Sequence, residues 1–173
     1  MLTINKYSRP NKPLKRVRGL VLHWPDYPRA SARSVYNIFE SRKNGNDGYG
    51  ATHKIIGLEG EIVECIPEKE MAYHCGSKNY TNYAMHKFGT YPNNCTLSVE
   101  LCHIDEKGTM NKETFEAAVN LMTIWCKKYG LKALDITTHH NIVGWKECPK
   151  WFVDNPYDLE YLRFLVDLNL GGV

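Results

Sequence analysis

Apolar positions in this chain fall into short unbroken runs and one long stripe, and their spacing sets the elements. Val17-Arg-Gly-Leu-Val-Leu-His23 is a nearly continuous apolar run that Trp24-Pro25-Asp26 must end, so it predicts a buried strand with His23 at its carboxyl end. Ser31 is placed to cap a helix reaching about Lys43, with Val35, Ile38, Phe39 and Arg42 at helical spacing and Gly45 beyond its end. Two strand-like runs follow, around 51–56 and 60–66, joined by Gly57-Leu-Glu-Gly60 as a hairpin or tight meander. Thr96-Leu-Ser-Val-Glu-Leu-Cys102 alternates, which turns Ser98, Glu100 and Cys102 away from the most apolar face. From Lys112 to Tyr129 the residues Phe115, Ala118, Val119, Met122, Trp125, Cys126 and Tyr129 form one helical stripe that Gly130 closes. A further strand is expected over 134–139, and Asn155-Pro156 opens a terminal helix to about Leu168.

That order of elements predicts an α/β fold, a mixed central β-sheet flanked by α-helices. No repeat or linker divides the chain, so residues 1–173 are expected to form a single domain. Residues 1–16 read as a basic arm, with Lys6, Arg9, Lys12, Lys15 and Arg16 set among prolines and polar residues and expected to lie solvated over the surface. Residues 67–94 show little periodicity and predict a long irregular loop, a feature that in a compact domain is usually functional.

Composition narrows the function. A net charge of +3 with acidic and basic residues interleaved lacks the footprint of a nucleic-acid binder. No stretch approaches the ~18 apolar residues of a membrane span. The N-terminus has no apolar core of the secretory kind, so synthesis in the cytoplasm is expected, with any external target reached after release. The six cysteines do not predict a disulfide framework, because a chain of this size needs none and Cys102 and Cys126 lie in apolar runs where Cys packs as a small hydrophobe. Cys148 differs in lying in a polar turn.

The candidate chemistry is concentrated in a few places. His23 ends a buried strand, and Thr138-His139-His140-Asn-Ile-Val-Gly-Trp-Lys146-Glu-Cys148-Pro149 puts two histidines, a lysine and a cysteine in one passage from strand to turn. Imidazole nitrogen and thiolate sulfur are the donors zinc prefers, and three protein ligands with one open position make a catalytic site, whereas a structural site closes all four. The paired spacings of zinc fingers are absent. Glu100, near a strand's end, is a candidate catalytic carboxylate, with an exposed polar residue as the alternative. A cysteine hydrolase using Cys148 with His139 or His140 is the rival chemistry.

Taken together, VLHW, ATHKII, AYHCG, TLSVELC and TTHHNIVGWKECP, in that order, resemble the type 2 N-acetylmuramoyl-L-alanine amidases, a family that shares its fold with peptidoglycan recognition proteins and includes many phage endolysins. The resemblance spans roughly residues 17–160. It implies a zinc ion held by His23, His139 and Cys148, with Glu100 as general base and Lys146 steadying the oxyanion. His139 reproduces the family's apolar-x-x-His strand, while the commonest spacing back from Cys148 gives His140 as the alternative. Some members carry a catalytic Tyr where this chain has Thr52, which leaves Glu100 to handle the protons. His74 in AYHCG matches a region lining the substrate groove, and 67–94 is then a substrate-side wall. The implied partner is bacterial peptidoglycan, cut between N-acetylmuramic acid and L-alanine by a monomer of the endolysin kind. A non-catalytic peptidoglycan-binding module of the same fold is the alternative.

Overall fold

The computed structural model describes residues 1–172, built in order from β1 (Gly19–His23), α1 (Ala32–Ser41), β2 (Lys54–Ile56), β3 (Ile62–Glu64), α2 (Asn82–Phe88), β4 (Thr96–Leu101), α3 (Lys112–Tyr129), β5 (Ile136–Thr138), α4 (His139–Val143), α5 (Lys150–Asp154) and α6 (Pro156–Leu170). The sheet runs β3-β2-β4-β1-β5, with β3 antiparallel to β2 and every other pairing parallel. Parallel strands present their carboxyl ends at one edge, so the residues that end β1, β4 and β5 gather there. This is the mixed α/β sheet with flanking helices that the apolar pattern predicts.

The pleat divides the side chains. Leu20 and Leu22 of β1 join Leu97, Val99 and Leu101 of β4 and Ile136 of β5 in one cluster under α3 and α6, with Met122, Trp125 and Leu162. Helix α3 forms as its stripe requires: the Asn111 side chain accepts the Thr114 N–H at 3.0 Å at its start, and Gly130 ends it at φ +65, where a side chain would be strained. The opposite face carries two smaller clusters. One holds Leu2, Val35, Phe39 and Ile55, and the other Val21, Phe88 and Ile142. Buried polar residues, among them His23, His53, Ser98 and Glu100, occupy that same face.

Four expectations need correction. The tract 67–94 is not all loop: Thr81 caps α2 by accepting the Ala84 N–H at 3.1 Å, and Ala84 and Phe88, one turn apart, anchor it. The strand expected over 134–139 is confined to Ile136–Thr138, since 133–135 form a 3₁₀ turn and the Thr138 side chain starts α4 at His139. Helix α5 has no counterpart in the expected elements. The arm 1–16 is stitched down rather than solvated along its length. Leu2 is buried, the Arg9 guanidinium grips the Glu70 carboxylate through two bonds of 2.8 Å, and Leu14 N–H donates to the Lys69 carbonyl. Its other basic side chains, including Lys6, Lys12, Lys15 and Arg16, are exposed as expected. All six cysteines are free thiols and buried. Among the described residues no helix is long and apolar enough to cross a membrane.

Candidate metal centre

His23 is the last residue of β1 and stands in register with Glu100 of β4. Residues paired across parallel strands point to the same face, so the imidazole and the carboxylate emerge together at the carboxyl edge. His139 lies one step past β5 as the first residue of α4, fixed there by the Thr138 hydroxyl, which accepts the Asn141 N–H at 3.1 Å. Cys148 comes from the turn between α4 and α5. The His140 N–H donates to the Cys148 carbonyl and the Cys148 N–H to the Lys146 carbonyl, each at 2.9 Å, folding this turn back against α4.

These elements bring His23, His139 and Cys148 together, each buried, with their donor atoms all within 4.8 Å of one another. His23 Nδ1 is 3.6 Å from Cys148 Sγ, and the two imidazole centroids are 4.7 Å apart. His140 is not part of this group, because its Nδ1 is 3.0 Å from the Lys146 carbonyl. The apolar-x-x-His pattern places His139 within a strand, whereas the structure puts both His139 and His140 in α4, directly after β5.

The residues fit a soft cation. Both ring nitrogens of His139 are buried without a hydrogen-bond partner, a costly arrangement unless a ligand uses one of them. Burial, and then the neighbouring His139, push His23 well below the usual imidazole range; burial, then Lys146 and His140, bring His139 down to about 3. Both imidazoles are therefore neutral donors at neutral pH. Burial, then Glu100, push the Cys148 thiol up to about 12. A thiol so enclosed is a poor nucleophile by itself, which disfavours the cysteine-hydrolase chemistry, while a bound divalent cation would release its proton. Two neutral imidazoles and a thiolate are a donor set suited to zinc.

Glu100 is buried with Oε2 lacking a partner, and burial lifts its carboxyl to about 7 against the pull of Lys146 and Arg42. A proton acceptor poised near neutrality is what general base work requires. Lys146 is exposed beside it. All five residues line one cavity of about 940 Å³, whose walls include Tyr49, Tyr73, Tyr91, Trp145 and Arg42. Residues 73–93 thus contribute a wall of the cavity despite containing α2.

His74 also reaches this cavity, but both its ring nitrogens are engaged: Nδ1 lies 3.0 Å from His23 Nε2 and Nε2 lies 2.9 Å from Thr96 Oγ1. His74 thus stands on the cavity wall, where the resemblance puts its segment, with its ring held by protein atoms on both sides. Thr52 is buried and donates to Ser98 Oγ at 3.0 Å, so it does not replace a cavity tyrosine. Two contributors went unrecognised in the sequence. Arg42 reads there only as a helix position, and its buried Nε has no partner. Thr96 shares the polar face of β4 with Ser98 and Glu100, a two-residue alternation that was legible and marks its side chain as facing the site.

A family model described as N-acetylmuramoyl-L-alanine amidase (Amidase_2) matches residues 13–151. The chain is 33% identical over 168 residues to a probable N-acetylmuramoyl-L-alanine amidase of Bacillus licheniformis, covering 97% of this chain and 46% of that protein. It spans about half the length of the curated relatives it matches. Among solved structures, the PlyG catalytic domain superposes with a TM-score of 0.71 at 18% identity, covering 94% of this chain and 87% of that one. A mutant endolysin from Bacillus subtilis gives 0.70 at 15% identity, covering 93% and 94%. At these identities the structures establish a shared fold.

Proposed function

The chain belongs to the N-acetylmuramoyl-L-alanine amidase family, and from that premise we propose that it hydrolyses the amide bond between the lactyl group of N-acetylmuramic acid and L-alanine in peptidoglycan, using zinc held by His23, His139 and Cys148. The observation that carries this reading is the meeting of two buried imidazoles and a thiol within 4.8 Å, on a cavity that also holds Glu100. Zinc bound there would supply Lewis acidity, polarising an amide carbonyl and easing deprotonation of a water. Glu100 accepts the proton of the attacking water and passes it to the departing L-alanine nitrogen, so that one carboxylate serves both proton transfers. The Lys146 ammonium, exposed at the cavity, offsets the negative charge that develops on the carbonyl oxygen. The tyrosines and Trp145 of the walls give the cavity apolar faces against which a stem peptide and sugar can lie.

The same reading has the enzyme act as a monomer on bacterial cell walls; a lytic role of the endolysin kind is supported by the fold it shares with an endolysin and by its 33% identity to a probable Bacillus licheniformis amidase. Incubating purified protein with peptidoglycan tests it. New L-alanine amino termini should appear, together with about one zinc per chain by elemental analysis. Reducing sugar ends without new amines would indicate a glycosidase and overturn the reading. Binding to walls with no release of either would leave a peptidoglycan-binding module of this fold.

A further inference from the structure

A neutral imidazole presents a lone pair on one nitrogen only, and what bonds to the other nitrogen decides which. His23 Nδ1 is 3.6 Å from Cys148 Sγ, so it is the atom that faces the ligand triangle, while Nε2 lies 3.0 Å from His74 Nδ1. Whether Nδ1 carries a lone pair or a proton is therefore settled at His74.

The far nitrogen of His74, Nε2, lies 2.9 Å from Thr96 Oγ1 and 4.0 Å from Cys75 Sγ. Each of those groups has a single proton, and each proton is already committed. The Thr96 hydroxyl donates to the Pro92 carbonyl at 2.8 Å, and the Cys75 thiol donates to Asn93 Oδ1 at 3.1 Å. Both face His74 with lone pairs alone, so His74 Nε2 must bring the proton. No carboxylate hydrogen-bonds to this ring among the described residues, and an enclosed imidazolium without a counter-charge is strongly disfavoured. His74 is neutral, its Nδ1 is an acceptor, and His23 Nε2 donates to it.

We propose that His74, fixed by Thr96, is a positioning residue that sets the tautomer of His23 and so points the Nδ1 lone pair into the metal-binding triangle. The proposal rests on the reading of His23, His139 and Cys148 as zinc ligands and deepens it. It gives the AYHCG segment a role in building the metal centre from behind.

Two measurements test it separately. Long-range proton–nitrogen NMR on the zinc-free wild-type chain reads each tautomer without any substitution. His23 and His74 should both show a protonated Nε2 and a bare Nδ1, and a protonated Nδ1 on His23 would overturn the proposal. Competition with a chelator then reads zinc affinity in variants whose fold is checked by near-ultraviolet circular dichroism. His74→Ala is expected to weaken zinc binding about 10- to 100-fold. His74→Asn, whose Oδ1 stands near the position of Nδ1 and can accept from His23, should recover part of that loss. Thr96→Val should lose less than His74→Ala, and Thr96→Ser should bind like wild type. Unchanged zinc affinity in folded His74→Ala would reduce His74 to a packing residue and defeat the proposal. A wild-type chain that binds no zinc would instead defeat the metal reading on which it stands, and with it any purpose for the tautomer.

Discussion

The two faces of the sheet are made by the same strands and do different work. Toward α3 and α6, alternate residues of β1 and β4 are Leu20, Leu22, Leu97, Val99 and Leu101, all in one continuous apolar cluster. Toward the other side the intervening residues include His23, Ser98 and Glu100, and the apolar cover is split into two clusters. Strand alternation lets one short segment supply both a core and a site. The difference teaches where stability and chemistry should part: substitutions on the first face should unfold the protein, and those on the second should stop it working while leaving it folded.

The largest expected effect is on the polar face. Glu100→Gln keeps the shape and removes the proton acceptor, so turnover on peptidoglycan should fall about 10²- to 10⁴-fold with zinc content unchanged. Near-normal turnover would remove Glu100 from the mechanism. Next is Leu22→Ala, one residue away in sequence from His23 but pointing to the other face. It should destabilise by about 2–5 kcal/mol in urea unfolding, with zinc binding retained in the folded fraction. If instead Glu100→Gln unfolds the chain, or Leu22→Ala inactivates it while folded, the division between the faces fails.

How much of this division the sequence shows follows from its range of interaction. The apolar runs of β1 and β4 and the stripe of α3 are local patterns, and they place His23 and Glu100 near strand ends. That the two stand in register is a property of the β1–β4 pairing, between segments more than seventy residues apart, which no local pattern carries. Helix α2 was missed because only Ala84 and Phe88 of its seven residues are buried, too few to register as a period. The strand read through to His139 because Ile136, Thr137 and Thr138 suit extended chain, while the capping action of Thr138 depends on the turn that follows. The arm misled through its charge, which outweighed Leu2 and hid the pairing of Arg9 with Glu70. For His74, the motif marked the segment, but its engagement with Thr96 and His23 depends on tertiary contact.

The third prediction uses pH to separate the faces. Native Glu100 holds its proton to about 7 because it is buried, against an ordinary value of 4.5. Between those values the native state binds more protons than the unfolded chain, so the stability this group contributes is complete below 4.5 and drains away as pH rises through 7. His23 and His139 act in the opposite sense, since their depressed values make the native state lose stability as pH falls below 6.5. Comparing zinc-free wild type with Glu100→Gln cancels the histidines. The variant should gain about 3 kcal/mol relative to wild type on going from pH 4 to pH 8, and a flat difference would mean that the carboxylate is better solvated than its surroundings indicate.

The smallest effect probes the edge of the apolar face. Glu68 accepts hydrogen bonds from Trp125 Nε1 at 2.8 Å and from Lys128 and Tyr129 at 2.7 Å, tying α3 to the chain after β3. Burial would raise its carboxyl, but these bonds, led by Lys128, outweigh it and bring the value to about 2. The stability it contributes is therefore present above 4.5 and lost as pH falls through about 2. Because Glu68 is partly open to solvent, Glu68→Gln should lower stability by only about 1–2 kcal/mol at pH 7, with the difference shrinking toward zero in acid. Zinc affinity and turnover should stay at wild-type levels, because nothing in this cluster lines the cavity that holds His23, Glu100 and Cys148. A fall in turnover that tracked the lost stability would show the two faces to be mechanically coupled through β2 and β4, and the separation drawn from the pleat would then describe packing alone.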